Sequence, residues 1–276
     1  GAENLMTQGS DRDIPGGVGD ISPNGLNLDQ LTADQITEIR DRYVQAASDC
    51  NGTAGPDVMN KGNGDVCQNF SGLADNDTMT LDGGALVMGN MSGNEGNDML
   101  DVGTTSFVLG NLDGGAGDDT IIVSDASEIG WNDGDVLGGT GNDGITIDSN
   151  SIIYGDVFGD DGNGNEADGD GNDIIKMLGG QVGSDLHCTG GNINGEGGDD
   201  DIQIFGGSVA GDVLGGGGND KIETKEPATI GGNVDGGAGN DTITIASDPV
   251  DVLGGIGDDG INILAGTVAD NVYGDD

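Results

Sequence analysis

The residues with most capacity for chemistry are aspartates that recur behind glycine-rich turns. Asp77, Asp98, Asp119, Asp143, Asp173, Asp200, Asp220, Asp241 and Asp259 each close such a turn, at successive separations of 21, 21, 24, 30, 27, 20, 21 and 18 residues. An alternating apolar pair follows most of them, as in GGAGND followed by TITI at 236–245. A carboxylate fixed at a turn offers oxygen to a hard cation, and glycine lets the backbone bend tightly around it. Catalysis has no comparable support. No nucleophile stands with a positioned base, and the only histidine, His187, adjoins Cys188, which on a strand would point to the opposite face. The chain is therefore not expected to be an enzyme.

Composition narrows the partners. Of 276 residues, 51 are acidic and 7 are Lys or Arg, giving a formal net charge of -44. A surface of that sign excludes nucleic acid and favours cations. Only 33% of residues are hydrophobic and 3% aromatic, with 59 glycines, so the core must be thin. Disorder, the usual reading of an acidic, glycine-rich chain, is opposed by the regular Ile and Val positions. No apolar run approaches the roughly 18 residues that span a bilayer.

The elements that must position the aspartates are short strands. In x-I-x-I the apolar residues face one side, Ile243 and Ile245 inward and Thr242 and Thr244 outward. A second motif, G-[ND]-U-x-G with U apolar, precedes the turns from Asp98 onwards, as GNMSG at 89, GDVLG at 211 and GNVDG at 232. Each repeat thus carries two strand-forming pieces, with Ile230 and Val234 entering the interior from the opposite wall. About four inward side chains per repeat are too few to fold alone, and stacking buries them in one column. The expectation is an all-β parallel β-solenoid of about nine coils over residues 71–276, roughly 45 Å long at about 4.8 Å per coil.

G-G-x-G-N-D-x-I-x, recurring in register, resembles the calcium-binding nonapeptide of RTX (repeats-in-toxin) proteins. The resemblance covers about residues 71–276 and implies a right-handed β-roll in which turn carbonyls and aspartates of neighbouring coils enclose Ca²⁺. Carried over by position, the ligands are the nine aspartates above, Asp119, Asp143, Asp220, Asp241 and Asp259 foremost. Carbonyls would come from Gly115, Gly117, Gly139, Gly141, Gly216, Gly218, Gly237, Gly239, Gly255 and Gly257. Two departures matter. The first copy, ADNDTMTL, lacks the glycines, and Asn94 and Glu95 interrupt the copy at Asp98. The alternate half-coil also lacks the nonapeptide, so calcium is expected along one edge only. Its Asn90, Asn111, Asp135, Asp156, Asn192, Asp212, Asn233, Asp251 and Asn271 read as supports for tight turns, a hydrogen-bonded ladder or a weaker cation line.

One stretch is more acidic than the repeat requires. DDGNGNEADGDGND at 160–173 crowds Asp160, Asp161, Asp168 and Asp170 among glycines and asparagines. It reads either as an extra cation loop similar to the start of an EF-hand, without that loop's sixth-position Gly and twelfth-position Glu, or as a solvated loop.

Residues 1–70 read as a separate N-terminal region. An amphipathic helix is expected over about 33–48, where Leu31, Ile36, Ile39, Tyr43 and Ala47 have helical spacing and Thr32 and Gln35 form a capping box. It would either cap the open end of the solenoid or dock another subunit. Cys50 and Cys67 flank a short loop, and a disulfide between them would add about 3 kcal/mol and imply an oxidising, extracellular setting. Three reduced thiols are the alternative. The spacing of Cys and His does not suit zinc.

The expected function is that of a secreted calcium-binding structural protein, extracellular or at a cell surface, whose folding is driven by Ca²⁺. The chain ends at NVYGDD, within a further turn motif, and an open coil invites another copy to add end to end as a filament or matrix. Cell-surface or matrix components are further partners. The alternatives are an RTX-type module or fragment of a type I-secreted adhesin or enzyme, and an ice- or surface-binding solenoid. The outward row Thr80, Asp101, Ile122, Thr146, Lys176, Gln203, Glu223, Thr244 and Asn262 is too mixed for an ice-matching face.

Overall fold

The computed structural model describes residues 47–131, 134–162, 171–183 and 191–275. The helix expected over 33–48 falls almost wholly outside these residues, as do Asp168, Asp170, His187 and Cys188. Among the described residues every regular element is a strand, from β1 (Cys50–Asn51) to β29 (Val272–Asp275). The strands form three parallel sheets of 11, 10 and 8 members, in which successive strands of the chain pass from sheet to sheet and neighbours within a sheet lie three apart in sequence order through most of the chain. The fold is a parallel β-solenoid of about ten turns. No described helix is long and apolar enough to cross a membrane.

Three walls replace the two expected. One coil shows why. Its first strand, β24 (Thr229–Ile230), belongs to the 8-stranded sheet, β25 (Val234–Ala238) to the 11-stranded sheet and β26 (Thr242–Ile245) to the 10-stranded sheet. Ile230 and Val234 therefore enter the core from different walls, joined at the G-[ND] corner. The motifs G-N-V-D-G and G-G-A-G-N-D are not opposite half-coils, because VDGGA is a single strand that runs through both. β-Branched residues suit these pleated positions, and Ile230, Val234, Ile243 and Ile245 are all buried.

Register holds along the whole column. Ile222 pairs with Ile243 and Ile243 with Ile261, while Val213 pairs with Val234 and Val234 with Val252. The core is thus a set of stacked apolar rows, mostly aliphatic, from Cys67 to Val252. Variation in repeat length is absorbed at corners and in the shortest sheet. The 18-residue repeat between Asp241 and Asp259 has no strand in the 8-stranded sheet, whereas the 30-residue repeat carries its extra chain after Phe158.

The solenoid begins earlier than residue 71. Cys50–Asn51, Val58–Lys61 and Val66–Cys67 supply one strand to each of the three sheets, so the cysteine loop is itself the first coil. Cys50 and Cys67 are disulfide-bonded, with Cα atoms 5.6 Å apart, and the bond closes this coil across two walls. Replacing both by Ser should lower stability by about 3 kcal/mol. Urea unfolding of the oxidised and double-Ser proteins reads this directly, and equal midpoints would remove the staple role.

Where the glycine pattern lapses, other residues adopt its backbone. Leu73 and Asn94 occupy the row of Gly115 and Gly139, with φ of 91° and 79°. Such a conformation is costly for a residue with a side chain. Leu73 is also substantially exposed, so Leu73→Gly removes little packing. Thermal unfolding of that variant should show a gain of about 1 kcal/mol.

Candidate functional site

The corner between the 11- and 10-stranded sheets brings all nine sequence-selected aspartates into one line. Glycine makes the turn possible. Gly237 and Gly239 have φ of 100° and 138°, and a Cβ on Gly239 would lie 1.6 Å from the Gly218 carbonyl oxygen of the coil before. The chain then reverses into the strand, and the aspartate at the end of the turn points inward. Asp77, Asp98, Asp119, Asp143, Asp173, Asp200, Asp220 and Asp241 are each no more than 3% exposed.

One oxygen of each carboxylate links the coils. The backbone N–H of Asp220 donates to Asp241 Oδ1 at 2.8 Å, and that of Asp241 donates to Asp259 Oδ1 at 2.8 Å. The same bond runs through Asp77, Asp98, Asp119, Asp143, Asp173 and Asp200 at 2.6 to 2.8 Å. Asp57 enters the line too, its N–H donating to Asp77 Oδ1 at 2.7 Å. Asp57 is hard to see in the sequence because its turn keeps only Gly52 and Gly55 and has Pro56 where the other copies have Asn or Asp, although D-V-M-N-K keeps the carboxylate-then-strand order 20 residues before Asp77.

The other oxygen has no such bond. Oδ2 of all nine aspartates is buried and without a hydrogen-bond partner. It faces a glycine of its own coil and a carbonyl of the next. A Cβ placed on Gly236 would lie 2.4 Å from Asp241 Oδ2 and 2.4 Å from the Gly254 carbonyl oxygen. On Gly195 the corresponding distances are 2.2 Å to Asp200 Oδ2 and 2.5 Å to Gly215 O. Two acceptors therefore converge at every step, and acceptors that converge away from water need positive charge between them.

Electrostatics follow from this burial. Loss of solvent pushes the carboxyls of Asp119, Asp143 and Asp220 up to about 7 and those of Asp173 and Asp200 up to about 8. Neighbouring carboxylates add to the rise, and the N–H bond to Oδ1 opposes it without cancelling it. Asp77, Asp98 and Asp241 are raised for the same leading reason. A proton or a cation is the natural occupant of such a line.

Two further ladders flank it and use their oxygens differently. At the corner ahead of the 11-stranded sheet, Asn233 N–H donates to Asp212 Oδ1 at 2.7 Å and Asp251 N–H to Asn233 Oδ1 at 3.2 Å. This hydrogen-bonded row includes Asn90, Asn111, Asp135, Asp156, Asn192 and Asn271, so these residues form the ladder that is one of their three readings. The third ladder was missed. Its members stand one residue before each buried aspartate: Asn240 N–H donates to Asn219 Oδ1 at 2.9 Å, and Asp258 N–H to Asn240 Oδ1 at 2.9 Å. The signal was present as an unbroken series of Asn or Asp at that position. Both of these ladders donate back to the preceding coil, whereas the buried aspartate ladder donates forward.

The remaining candidates separate clearly. Gly115, Gly117, Gly139, Gly141, Gly216, Gly218, Gly237, Gly239, Gly255 and Gly257 all line the turn in left-handed or neighbouring conformations, stacked coil on coil. Asp160 lies beside the aspartate line, its charge acting on Asp143, Asp173 and Asp200, and Asp161 lies near Asp113. Among the described residues no three acidic, histidine or cysteine side chains are gathered to hold a metal by themselves, so backbone oxygens would have to complete any site. No protein-family model, curated protein or solved structure matches the chain.

Proposed function

We propose that the chain is a calcium-binding structural solenoid, extracellular in setting, whose aspartate corner binds Ca²⁺ along one edge of the column. The observation that carries this reading is the line of nine buried Oδ2 atoms without a hydrogen-bond partner, each converging with a carbonyl oxygen of the next coil. Oxygen-only ligation by carboxylates and carbonyls suits Ca²⁺ better than a softer metal. The turn glycines at positive φ and the family resemblance of GGxGND point the same way. The residues that would hold the ions are Asp77 to Asp259 of the line, with turn carbonyls from the glycine pairs Gly115 and Gly117 through Gly255 and Gly257. Bound Ca²⁺ supplies positive charge between coils and performs no reaction.

The protein's own part is to bring the carboxylates into one line on folding and keep water from it. Without cations the carboxylates repel one another at the spacing of the coils, and the narrow core offsets this only in part. Binding to the folded state alone adds stability. The metal-free chain is accordingly expected to lose most of its β circular dichroism at pH 8 and to regain it in millimolar Ca²⁺. An unchanged β signal without calcium overturns the folding role. Assembly end to end, into a filament or matrix, extends the same proposal, because the parallel edges of a terminal coil offer backbone groups for pairing. Sedimentation in calcium tests it, and a strict monomer removes it.

A further inference from the structure

The turn that enters the aspartate line first is built unlike those that follow. Residues 52–57, G-T-A-G-P-D, keep the length of G-L-A-D-N-D at 72–77 and G-N-E-G-N-D at 93–98, which places Thr53 in the row of Leu73, Asn94 and Gly115. Those three have φ of 91°, 79° and 110°, whereas neither Thr53 nor Gly55 is in the left-handed region. An ordinary backbone is what a β-branched residue requires.

The carboxylate has different partners as a result. Asp57 Oδ2 accepts from the backbone N–H of Thr53 at 2.5 Å and from its hydroxyl at 2.9 Å, while Oδ2 of Asp77 and of every later aspartate in the line has no hydrogen-bond partner. The converging carbonyl is still present. A Cβ on Gly52 would lie 2.6 Å from Gly72 O and 2.8 Å from Asp57 Oδ2. At this step alone the protein itself supplies donors to the second oxygen.

The other corners of the first described coil are closed by the chain as well. Ahead of Val66–Cys67, Gly62 N–H donates to Asp65 Oδ2 and Asp65 N–H to Gly62 O, both at 2.9 Å. Where the second coil begins, Asn69 Nδ2 donates to Asp49 Oδ1 at 2.9 Å. The Cys50–Cys67 bond then ties the wall entered first to the wall left last.

We infer that this coil is a calcium-independent seed, closed already in the metal-free chain, from which Ca²⁺ orders the column coil by coil towards residue 275. Each coil of a solenoid contacts only its neighbours, so the first interface must be made between two open loops, and every later one adds a single loop to a finished template. A covalently closed coil removes one of those two closures. The inference rests on the calcium reading of the line, whose first unsatisfied step is the one where Asp77 Oδ2 meets the Gly93 carbonyl.

Pulse-labelled amide exchange of the full oxidised chain, started by mixing metal-free protein with millimolar Ca²⁺, reads the order. Protection is expected first over 50–81 and last over 252–275. Replacing Cys50 and Cys67 by Ser should slow folding about tenfold or more and leave urea unfolding in saturating Ca²⁺ nearly unchanged in rate, a split that a staple formed late in folding would not give. Thr53→Val keeps the shape and removes the hydroxyl, and should act in the same direction more weakly. Ile243→Val, in a late coil, should instead speed unfolding and leave folding unchanged. Protection that appears everywhere at once, or first at the far end, overturns the seed and leaves the calcium reading standing, as does a cysteine effect that falls on unfolding. Ca²⁺ that brings no protection to any form overturns both.

Discussion

Metal-free protein dialysed from pH 9 towards pH 4 is expected to gain β structure, opposite to the usual effect of acid. The sign follows from the buried line. Asp119, Asp143 and Asp220 titrate in the folded state at about 7, and Asp173 and Asp200 at about 8, against 3.8 for the ordinary side chain. The folded state therefore binds protons that the unfolded chain has already released. Stability from this source is fully present below the ordinary value and is lost as pH rises through about 7 to 8. Saturating Ca²⁺ should reverse the trend, because the ion competes with the protons for the same oxygens and binds better as pH rises. Relief of the general negative charge also favours acid, so one further comparison is needed. Asp173→Asn combined with Asp200→Asn imitates the protonated carboxyls where the rise is greatest. Circular dichroism should then show a metal-free form more stable at pH 8 and less dependent on pH. Loss of β signal on acidification, or a double variant that follows the parent, would refute the role of the line.

Gly236→Ala should be among the most damaging single methyl additions in the chain. The new Cβ would stand 2.4 Å from Asp241 Oδ2 and 2.4 Å from Gly254 O, distances that real Cβ atoms essentially never show. Neither atom can yield easily, since one carboxylate oxygen is fixed by the N–H of Asp220 and the carbonyl belongs to the next coil. Overpacking of this kind costs about 3 kcal/mol or more. Gly144→Ala is the control, because there the nearest atom beyond its chain neighbours lies 3.8 Å away. Urea midpoints in saturating Ca²⁺ should fall steeply for the first variant and stay level or rise slightly for the second. Equal effects would mean that the aspartate pocket is softer than its packing indicates.

Legibility in the sequence varied with the kind of signal. Alternation in stretches such as TITI and the recurrence of the aspartates every 18 to 30 residues were enough to specify parallel stacking, because one face is buried and register cannot slip by one residue without exposing it. The third wall was not legible. Its strands, such as Thr229–Ile230, are two residues long and too short to alternate visibly. The first coil was hidden for a different reason. At Leu73 and Asp75 residues other than glycine carry positive φ, and Asp57 joins the line behind a turn that keeps only Gly52 and Gly55, so the motif fades before the structure does. Inward direction of the aspartates was implied only by analogy. The exposure of no more than 3% from Asp77 to Asp241 and the split use of Oδ1 and Oδ2 arise from stacking, which a single repeat does not contain.

The strand Val157–Phe158 has a mechanical consequence. Through most of the column the 11-stranded sheet joins neighbouring coils by strands of five residues, but on both sides of Val157–Phe158 only two residue pairs are in register. Interfaces between coils lie in series along the axis, so a pull on the two ends puts the same tension on each of them. Within the 11-stranded sheet the joints with two-pair ladders, on either side of Val157–Phe158 and between Cys50–Asn51 and Phe70–Ala74, give way before those with four.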